Sequence, residues 1–202
     1  MFYDTRKNDH GLPHNPFKAI VAPRPIGWIT SMSLKGEINL APYSFFNGIT
    51  DKPPIVMFSS EGPKDSVAFV EETKEFVCSL ATFDLREQMN GTSAPLPRGV
   101  SEMQATGLES APSRLVKPPR VAASPCALEC KWLKTVGFDP IDGRVMDRYV
   151  VFGHVVGVYI DDRFINNGRL DTAAMRPIAR CGYDEYAMVE TVFKMTRPSG
   201  GG

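Results

Sequence analysis

The sequence lacks the motifs that mark the common nucleotide-binding and hydrolytic folds. It contains no G-x-G-x-x-G stretch, no G-x-x-x-x-G-K-[ST] loop, no G-x-S-x-G and no H-E-x-x-H. Each of these motifs positions a specific chemical group, such as a pyrophosphate at a helix N-terminus or a zinc ion between two histidines. A Rossmann dinucleotide site, a P-loop, a nucleophile elbow and a zinc-protease centre are therefore not indicated.

The chain also lacks an excess of charge of either sign. Lys plus Arg and Asp plus Glu each number 23, so the formal net charge is zero. Without a net positive field the protein has no long-range attraction to nucleic acid or to an anionic membrane. The two most basic stretches, 114–120 and 144–148, are interrupted by prolines or acidic residues. We therefore predict no nucleic-acid partner.

Long apolar runs and clustered cysteines are missing as well. No stretch approaches the roughly 20 apolar residues of a membrane helix, and the first residues, MFYDTRKNDHG, do not read as a signal peptide. We therefore predict no membrane partner and a cytoplasmic location. The cysteines are scattered and have no matching histidine pair, which argues against a zinc site and predicts buried, reduced thiols; they are Cys78, Cys126, Cys130 and Cys181.

The 202 residues, 43% of them hydrophobic, are enough for one well-buried core. Residues 1–17 are polar and predict an N-terminal arm, residues 18–195 predict a single domain, and residues 196–202 predict a flexible tail. The sequence shows no internal repeat and no change of composition within 18–195 that would divide that region.

The pattern within this domain is that of short β-strands joined by turns. Residues 26–32 and 38–41 predict a hairpin around Gly36, because glycine accepts the positive φ of a tight turn. The run 148–160 is apolar on both alternating faces and longer than an ordinary strand, as expected of a curved barrel strand. Together with two short helices in 84–107, these features predict a mainly β barrel with helical insertions.

Two shorter segments complete this prediction. The stretch YSFFNGIT, residues 43–50, predicts a short turn or a single helical turn that follows the first hairpin. The stretch EGPKDSVAFVEETKEF predicts a helix that starts at Pro63 and ends near Lys74, because proline suits the first helical position.

The junction FSSEGPKDSVAF is the first candidate site. A helix N-terminus has unpaired N–H groups and a partial positive charge, so it attracts anions. This helix end could hold a phosphate monoester together with nearby side chains. The hydroxyls would come from Ser59, Ser60 and Ser66, and the cation from Lys64. The alternative is ordinary helix capping with Asp65 in the first turn, and this stretch by itself favours capping.

The hairpin that precedes this junction carries a second group of polar residues. A planar, amide-rich ring needs donors and acceptors along its edge and apolar cover over its face. Candidates for the edge are Thr30, Ser31, Ser44 and Asn47, and candidates for the cover are Trp28, Met32, Phe45 and Phe46. The alternative is that Ser44 and Asn47 only terminate a short turn, and spacing does not decide between the two.

The stretch RPIGWITSMSLKGEINLAPYSFFNGITDKPPIVMFSSEGPKDS resembles the opening half of the flavin reductase-like, FMN-binding split-barrel family. That family's pattern is RP followed by Ser or Thr, a Gly hairpin, N-x-A-P-(Y/F)-S-(F/W)-F, a P-P strand that ends in Ser, and K-D-(S/T) at a helix start. The segment TKEFVCSLAT is similar to the next family strand, with Cys78 and Ser79 as departures. VVFGHVVGVYIDD and RPIARCGYDEYAMV resemble later family segments, so the similarity covers most of 18–190.

The resemblance implies a six-stranded, Greek-key split barrel that forms a homodimer and holds FMN at the dimer interface. It implies phosphate contacts from Ser59, Ser60, Lys64 and Ser66. It implies contacts to the ring and ribityl chain from Thr30, Ser31, Met32, Ser44 and Asn47, with Arg180 and Tyr183 near the flavin.

The activity implied is transfer of a hydride from NADH or NADPH to the flavin, and then of electrons to a small molecule, a monooxygenase or oxygen. The flavin supplies this chemistry, so no side chain is predicted to be catalytic and no metal is expected. Two alternatives stay open: an FMN-binding electron carrier that does not oxidise NAD(P)H, and a cofactor-free barrel with a ligand-binding or structural role. The resemblance disfavours the second.

Overall fold

The computed structural model of the chain describes residues 1–196 and residue 198. The predicted flexible tail is 196–202; residues 197 and 199–202 of it lie outside the described part. The strands are β1 (Arg24–Pro25), β2 (Gly27–Met32), β3 (Ile38–Tyr43), β4 (Phe46–Asp51), β5 (Pro54–Glu61), β6 (Glu75–Leu80), β7 (Ser110–Ala111), β8 (Arg120–Val121), β9 (Cys126–Gly137), β10 (Arg148–Ile160), β11 (Ile165–Asn166), β12 (Arg169–Leu170), β13 (Ile178–Arg180) and β14 (Tyr186–Met188). The α-helices are α1 (Phe17–Ile20), α2 (Asp65–Thr73), α3 (Arg86–Gly91), α4 (Glu102–Ala105) and α5 (Thr172–Met175), with 3-10 turns at Phe83–Leu85 and Asp162–Phe164.

The main sheet is antiparallel and has the strand order β3-β2-β6-β9-β10-β5-β4. It curls until β3 meets β5, where the rings of Tyr43 and Phe58 lie 4.8 Å apart. Six strands therefore enclose an apolar interior that contains Ile29, Phe76 and Val151, each fully buried. Strand β4 is a seventh strand, which pairs with β5 outside this ring.

Helix α2 covers the barrel interior. Val67 and Val70 are buried in the same cluster as the barrel strands, because they lie on one face of the helix at three-residue spacing. The helix ends at Lys74, which adopts the left-handed conformation common after a helix C-terminus, with φ 64°. Its predicted end is confirmed, but its start is Asp65 rather than Pro63.

A second apolar layer covers the outside of β2. Trp28 is fully buried there with Met89, Met103 and Ile178, which come from the insertion after β6 and from β13. The indole Nε1 of Trp28 donates a hydrogen bond of 2.9 Å to Oγ1 of Thr92. The insertion is thus attached to the barrel by both apolar packing and a buried polar contact.

The mainly β split-barrel class predicted from the sequence is confirmed, with seven strands in the main sheet where six were implied. One local prediction is wrong: the stretch 43–50 is not a helical turn, because Phe46–Asp51 forms strand β4. The turn after β4 returns the chain onto β5, and the β5 ladder supplies partners that Asn47 and Gly48 would not find in isolation.

Two features are absent from the described residues. No helix among them has the length and apolar character needed to cross a bilayer. Within the same residues, no three His, Cys, Asp or Glu side chains lie close enough together to hold a metal ion.

Candidate functional site

Three adjoining cavities form a continuous groove between the barrel, the insertion and the C-terminal hairpin β13–β14. The first, the helix-end cavity, has a volume of ≈ 400 Å³ and lies between β3, the start of α2, residues 92–96 and Glu102. The second, the bridging cavity of ≈ 180 Å³, shares Pro42 and Ser93 with it. The third, the hairpin cavity of ≈ 320 Å³, lies between α3 and the β13–β14 hairpin.

The helix-end cavity receives the N-terminus of α2. Lys64 is the cap residue of this helix, has an extended backbone, and makes no side-chain hydrogen bond to the first turn. Ser66 follows in the first turn, is 1% exposed, and its Oγ accepts a 2.7 Å hydrogen bond from Nδ2 of Asn39 on β3. Helix α2 therefore presents a cation, a hydroxyl and its positive dipole end to this cavity.

Acidic groups in the same cavity are held by specific partners. Nε and Nη2 of Arg98 donate to Oδ1 of Asp65 at 2.8 and 2.5 Å. Oε2 of Glu102 accepts a 2.9 Å hydrogen bond from the Leu40 backbone N–H. Burial raises the pKa of Glu102, that hydrogen bond opposes the rise, and the charge of Asp65 adds to it.

Tyr43 connects this end of the groove to the barrel interior. Burial raises the pKa of its phenol, while the hydroxyls of Ser66 and Ser60 act in the opposite direction. Ser60 is 1% exposed, and its Oγ also donates to the Gly62 carbonyl at 3.2 Å. Ser60 thus lies behind the wall of the cavity, beside Tyr43.

Arg180 and Tyr186 mark the other end of the groove. Both line the bridging and the hairpin cavities, as do Met89 and Asn90. Nη1 of Arg180 donates to the hydroxyl of Tyr186 at 2.6 Å, and Nη2 donates to the carbonyl of Tyr183. These bonds fix the guanidinium group over the Tyr186 ring, 4.6 Å from its centroid. Ser44 lines the bridging cavity nearby.

The groove therefore brings together four of the predicted residues: Lys64, Ser66, Ser44 and Arg180. Thr30 and Ser31 lie elsewhere on β2, fully buried, and their side chains point to opposite faces of the strand. Both hydroxyls lack a hydrogen-bond partner in the described part of the chain. Met32 ends the same strand and is half-buried. Ligand contact by these three residues stays a prediction.

The remaining predicted residues are also outside the groove lining. Asn47 is exposed on β4, where its Oδ1 accepts a hydrogen bond from the Gly48 N–H at 2.9 Å. Ser59 is half-buried on β5, and its N–H donates to the Phe45 carbonyl at 2.8 Å. Tyr183 has a positive φ of 56°, and its ring lies 5.6 Å from that of His14. Their roles stay predictions as well.

The groove also contains polar residues that the sequence did not identify as site residues: Asn39, Asn90, Ser93, Glu102 and Tyr186. Asn39 had a detectable signal, since it is a polar residue within a return strand and begins the N-x-A-P pattern. The others come from the insertion and the C-terminal hairpin. They meet the barrel only through long-range packing, so local patterns carried no signal for them.

The chemistry of the groove changes along its length. One end offers a cation, hydroxyls and a helix N-terminus, which suit a phosphate or another compact anion. The other end combines apolar side chains such as Met89 and Ile178 with polar and charged ones such as Arg180, and apolar cover with a few donors suits a planar ring. An elongated ligand with an anionic end and a ring fits this arrangement.

The chain is similar to several known proteins. The family model for the flavin reductase like domain matches residues 21–172. An uncharacterized protein from Aquifex aeolicus is 35% identical over 192 residues, which cover 92% of this chain and 94% of that protein.

Solved structures extend the comparison. Nitrilotriacetate monooxygenase component B from Bacillus cereus superposes with a TM-score of 0.88 at 23% identity, over 96% of this chain and 98% of that one. The 2-nitrobenzoate 2-nitroreductase NbaA of Pseudomonas fluorescens superposes with a TM-score of 0.85 at 26% identity, over 100% and 98% of the two chains.

Proposed function

The chain belongs to the flavin reductase like domain family, and from this membership we propose that it is an FMN-dependent oxidoreductase. In this proposal FMN binds along the groove, NADH or NADPH is the reductant, and electrons pass to a small oxidant or to a partner monooxygenase. The observation that carries the proposal is the groove of adjoining cavities, with Lys64 and a helix N-terminus at one end and a mixed apolar and donor-bearing lining at the other.

The residues at the helix end fit a phosphate monoester. Lys64 supplies a full positive charge, Ser66 supplies a hydroxyl, and the first turn of α2 supplies backbone N–H groups. Asn39 holds Ser66 in place from β3. Ser59 and Ser60 are proposed as further phosphate contacts from the preceding strand, consistent with the position of Ser60 beside Tyr43.

The far end fits the isoalloxazine ring. Ser44 and Arg180 are proposed to hydrogen-bond along the ring edge, while the walls of the bridging cavity cover its face. Thr30, Ser31 and Met32 are proposed contacts to the ring and ribityl chain, supported by the two buried hydroxyls that lack partners in the described residues.

We further propose that the protein is a homodimer with FMN at the dimer interface. Asn47 is a proposed FMN contact, but it is exposed on β4 and does not line the groove. It could contact FMN if a second copy of the chain packed against this face. Tyr183 is proposed to lie near the flavin, because its backbone carbonyl accepts a hydrogen bond from Arg180.

The domain is proposed to span 18–195, with an arm over 1–17. The proposed location is the cytoplasm.

In the proposed mechanism FMN, when bound, would supply the redox chemistry, namely acceptance of a hydride from NADH or NADPH and passage of the electrons to the acceptor. The chain's residues bind and orient it: Lys64 and Ser66 anchor one end, and Arg180 positions the other. The groove walls, built from Met89, Tyr186 and the neighbouring apolar residues, exclude water from the ring. Alignment of two bound rings accelerates the transfer through proximity, and no side chain is assigned as an acid or a base.

The identity of the acceptor is proposed from the structural relatives. One is a monooxygenase component and another is a nitroreductase, so a partner monooxygenase and a small oxidant are both supported. The specific substrates of these two relatives are not proposed for this chain, because the sequence identities of 23% and 26% are low.

An anaerobic reduction experiment tests the proposal. Purified protein loaded with FMN is mixed with NADH or with NADPH, and the flavin absorbance near 450 nm is followed in a stopped-flow instrument. Bleaching with at least one nucleotide, faster than for free FMN, is the expected result. A protein that binds FMN but keeps its yellow colour with both nucleotides would instead be an electron carrier. A protein that retains no FMN would contradict the assignment.

A further inference from the structure

The outer wall of the helix-end cavity is a strap, residues 92–98, fastened at both ends. At its start, Oγ1 of Thr92 accepts a hydrogen bond from the buried Trp28 indole. At its end, Arg98 donates two hydrogen bonds to Asp65 in the first turn of α2. Pro95 and Pro97 lie between these points and stiffen the strap, since each fixes its own φ.

The two contacts that hold the strap, at Arg98 and at Thr92, differ in their exposure to solvent. The Trp28–Thr92 bond is buried, whereas the Arg98 side chain is 60% exposed and that of Asp65 is 25% exposed. An exposed ion pair contributes little free energy and exchanges readily with water. The end of the strap near α2 is therefore the end that can be released without disturbing the core.

The charges around the helix-end cavity show a second role for Arg98. Among the described residues that line it, Lys64 is the one cation, and Asp65 and Glu102 both line it. Without Arg98, two lining carboxylates would face one lining cation, which would weaken the attraction for a phosphate dianion. Arg98 does not itself line the cavity, so it acts by pairing with Asp65.

We propose that the Arg98–Asp65 latch makes the groove selective for a flavin that ends in a single phosphate, and that Arg98 is a positioning residue for that phosphate. This proposal rests on the proposed function, because it assumes a flavin phosphate at the start of α2. Residues 92–96 of the strap line the helix-end cavity together with Lys64 and Ser66, and in this proposal the latched strap limits what can extend past the phosphate. FMN ends at its phosphate, whereas FAD continues through a second phosphate into an adenosine that must pass the strap.

The latch has two separable effects, and two single substitutions separate them. Arg98→Ala opens the strap and leaves Asp65 uncompensated. Asp65→Asn weakens the latch, because a neutral amide oxygen replaces the carboxylate oxygen that accepts from Arg98, and it also removes a negative charge. Both variants should lose FMN-over-FAD selectivity, while their FMN affinities should move apart. The matched control is Arg163→Ala, which breaks a comparable exposed pair with Asp161 (N–O distance 2.6 Å) on residues that do not line the groove.

Fluorescence titrations of wild type and the three variants with FMN, FAD and riboflavin test the proposal. We expect the ratio of FAD to FMN dissociation constants to fall about fivefold in both latch variants, the most that an exposed ion pair commonly supports. FMN should bind about fivefold more weakly to Arg98→Ala and no more weakly to Asp65→Asn. Riboflavin, which has no phosphate, should bind all four proteins equally.

The outcomes separate the latch from the proposed function. Wild type that binds no flavin contradicts both. Wild type that prefers FMN, with an unchanged FAD-to-FMN ratio in both latch variants, contradicts the latch alone. Equal weakening of FMN in Arg98→Ala and Asp65→Asn, or weakening of riboflavin in Arg98→Ala, would also overturn it, because each indicates general damage to the groove.

Discussion

Asn39 on β3 and Ser66 in the first turn of α2 are joined by a 2.7 Å hydrogen bond between two buried side chains. The bond fixes the helix N-terminus relative to the barrel at the point where the groove is most polar. Because both side chains are buried, removal of either one deprives the other of this hydrogen bond, and little water can replace it.

Asn39→Ala should therefore lower the free energy of unfolding by about 0.5–1.5 kcal/mol, the net contribution of one hydrogen bond, because Ser66 keeps its contact with Tyr43. Urea denaturation followed by tryptophan fluorescence measures the change. Ser66→Ala serves as the matched variant, and the double variant should be less destabilised than the sum of the two. Strict additivity would show that the two side chains are not coupled.

The bond between Trp28 and Thr92 gives a second prediction. Thr92→Val keeps the shape of the side chain but removes the oxygen that accepts from the indole N–H. Because the pair is buried, we expect a loss of about 1–3 kcal/mol in unfolding free energy. Thr92→Ser keeps the hydroxyl and should be milder. A larger loss in Thr92→Ser than in Thr92→Val would show that the methyl group, and not the hydrogen bond, stabilises the protein here.

Gly153 on β10 leaves no room for a side chain. A Cβ built at this position would lie 2.3 Å from Cζ of Phe76, in the barrel interior. Gly153→Ala should cost about 1–3 kcal/mol through overpacking. Gly48→Ala on β4 is the control, because its Cβ would meet no atom within 4 Å. Thermal melts that show the same shift for both would contradict the packing account.

Thiol reactivity should follow burial. Burial raises the pKa of Cys78 to about 12, so at pH 8 only about one molecule in ten thousand carries the thiolate that reacts. Cys130 is buried too, whereas Cys181 is half-buried. Iodoacetamide at pH 8 should label Cys181 in the native protein and Cys78 only after denaturation, as read by peptide mass spectrometry. Rapid native labelling of Cys78 would show that the barrel opens readily.

Much of the barrel could be predicted from the sequence, because its signals are local. The hairpin around Gly36 and the 13-residue strand β10 follow from turn chemistry and from apolar runs. Strand β4 was missed because Asn47 and Gly48 have low strand propensity, and only pairing with β5 makes the segment extended. A single sequence does not show that a ladder partner will be present.

The site could be predicted only in part, because only some of its residues have a local sequence signal. Lys64 and Ser66 lie on a strand-to-helix junction, a feature that a sequence displays directly. Glu102, Asn90 and Tyr186 reach the groove from the insertion and the C-terminal hairpin, and their approach depends on packing across the whole molecule. Thr30 and Ser31, adjacent in sequence, point to opposite faces of β2, which a list of neighbouring polar residues does not reveal.

The central claim is that the start of α2 holds the phosphate of a flavin mononucleotide. Titration of FMN and of riboflavin against wild type and against Lys64→Ala with Ser66→Ala tests it most directly. The account predicts that the double variant loses a few kcal/mol of FMN binding, as loss of charge-assisted hydrogen bonds would give, and binds riboflavin as wild type does. Unchanged FMN affinity in the double variant, or wild type that binds both flavins equally, would contradict it.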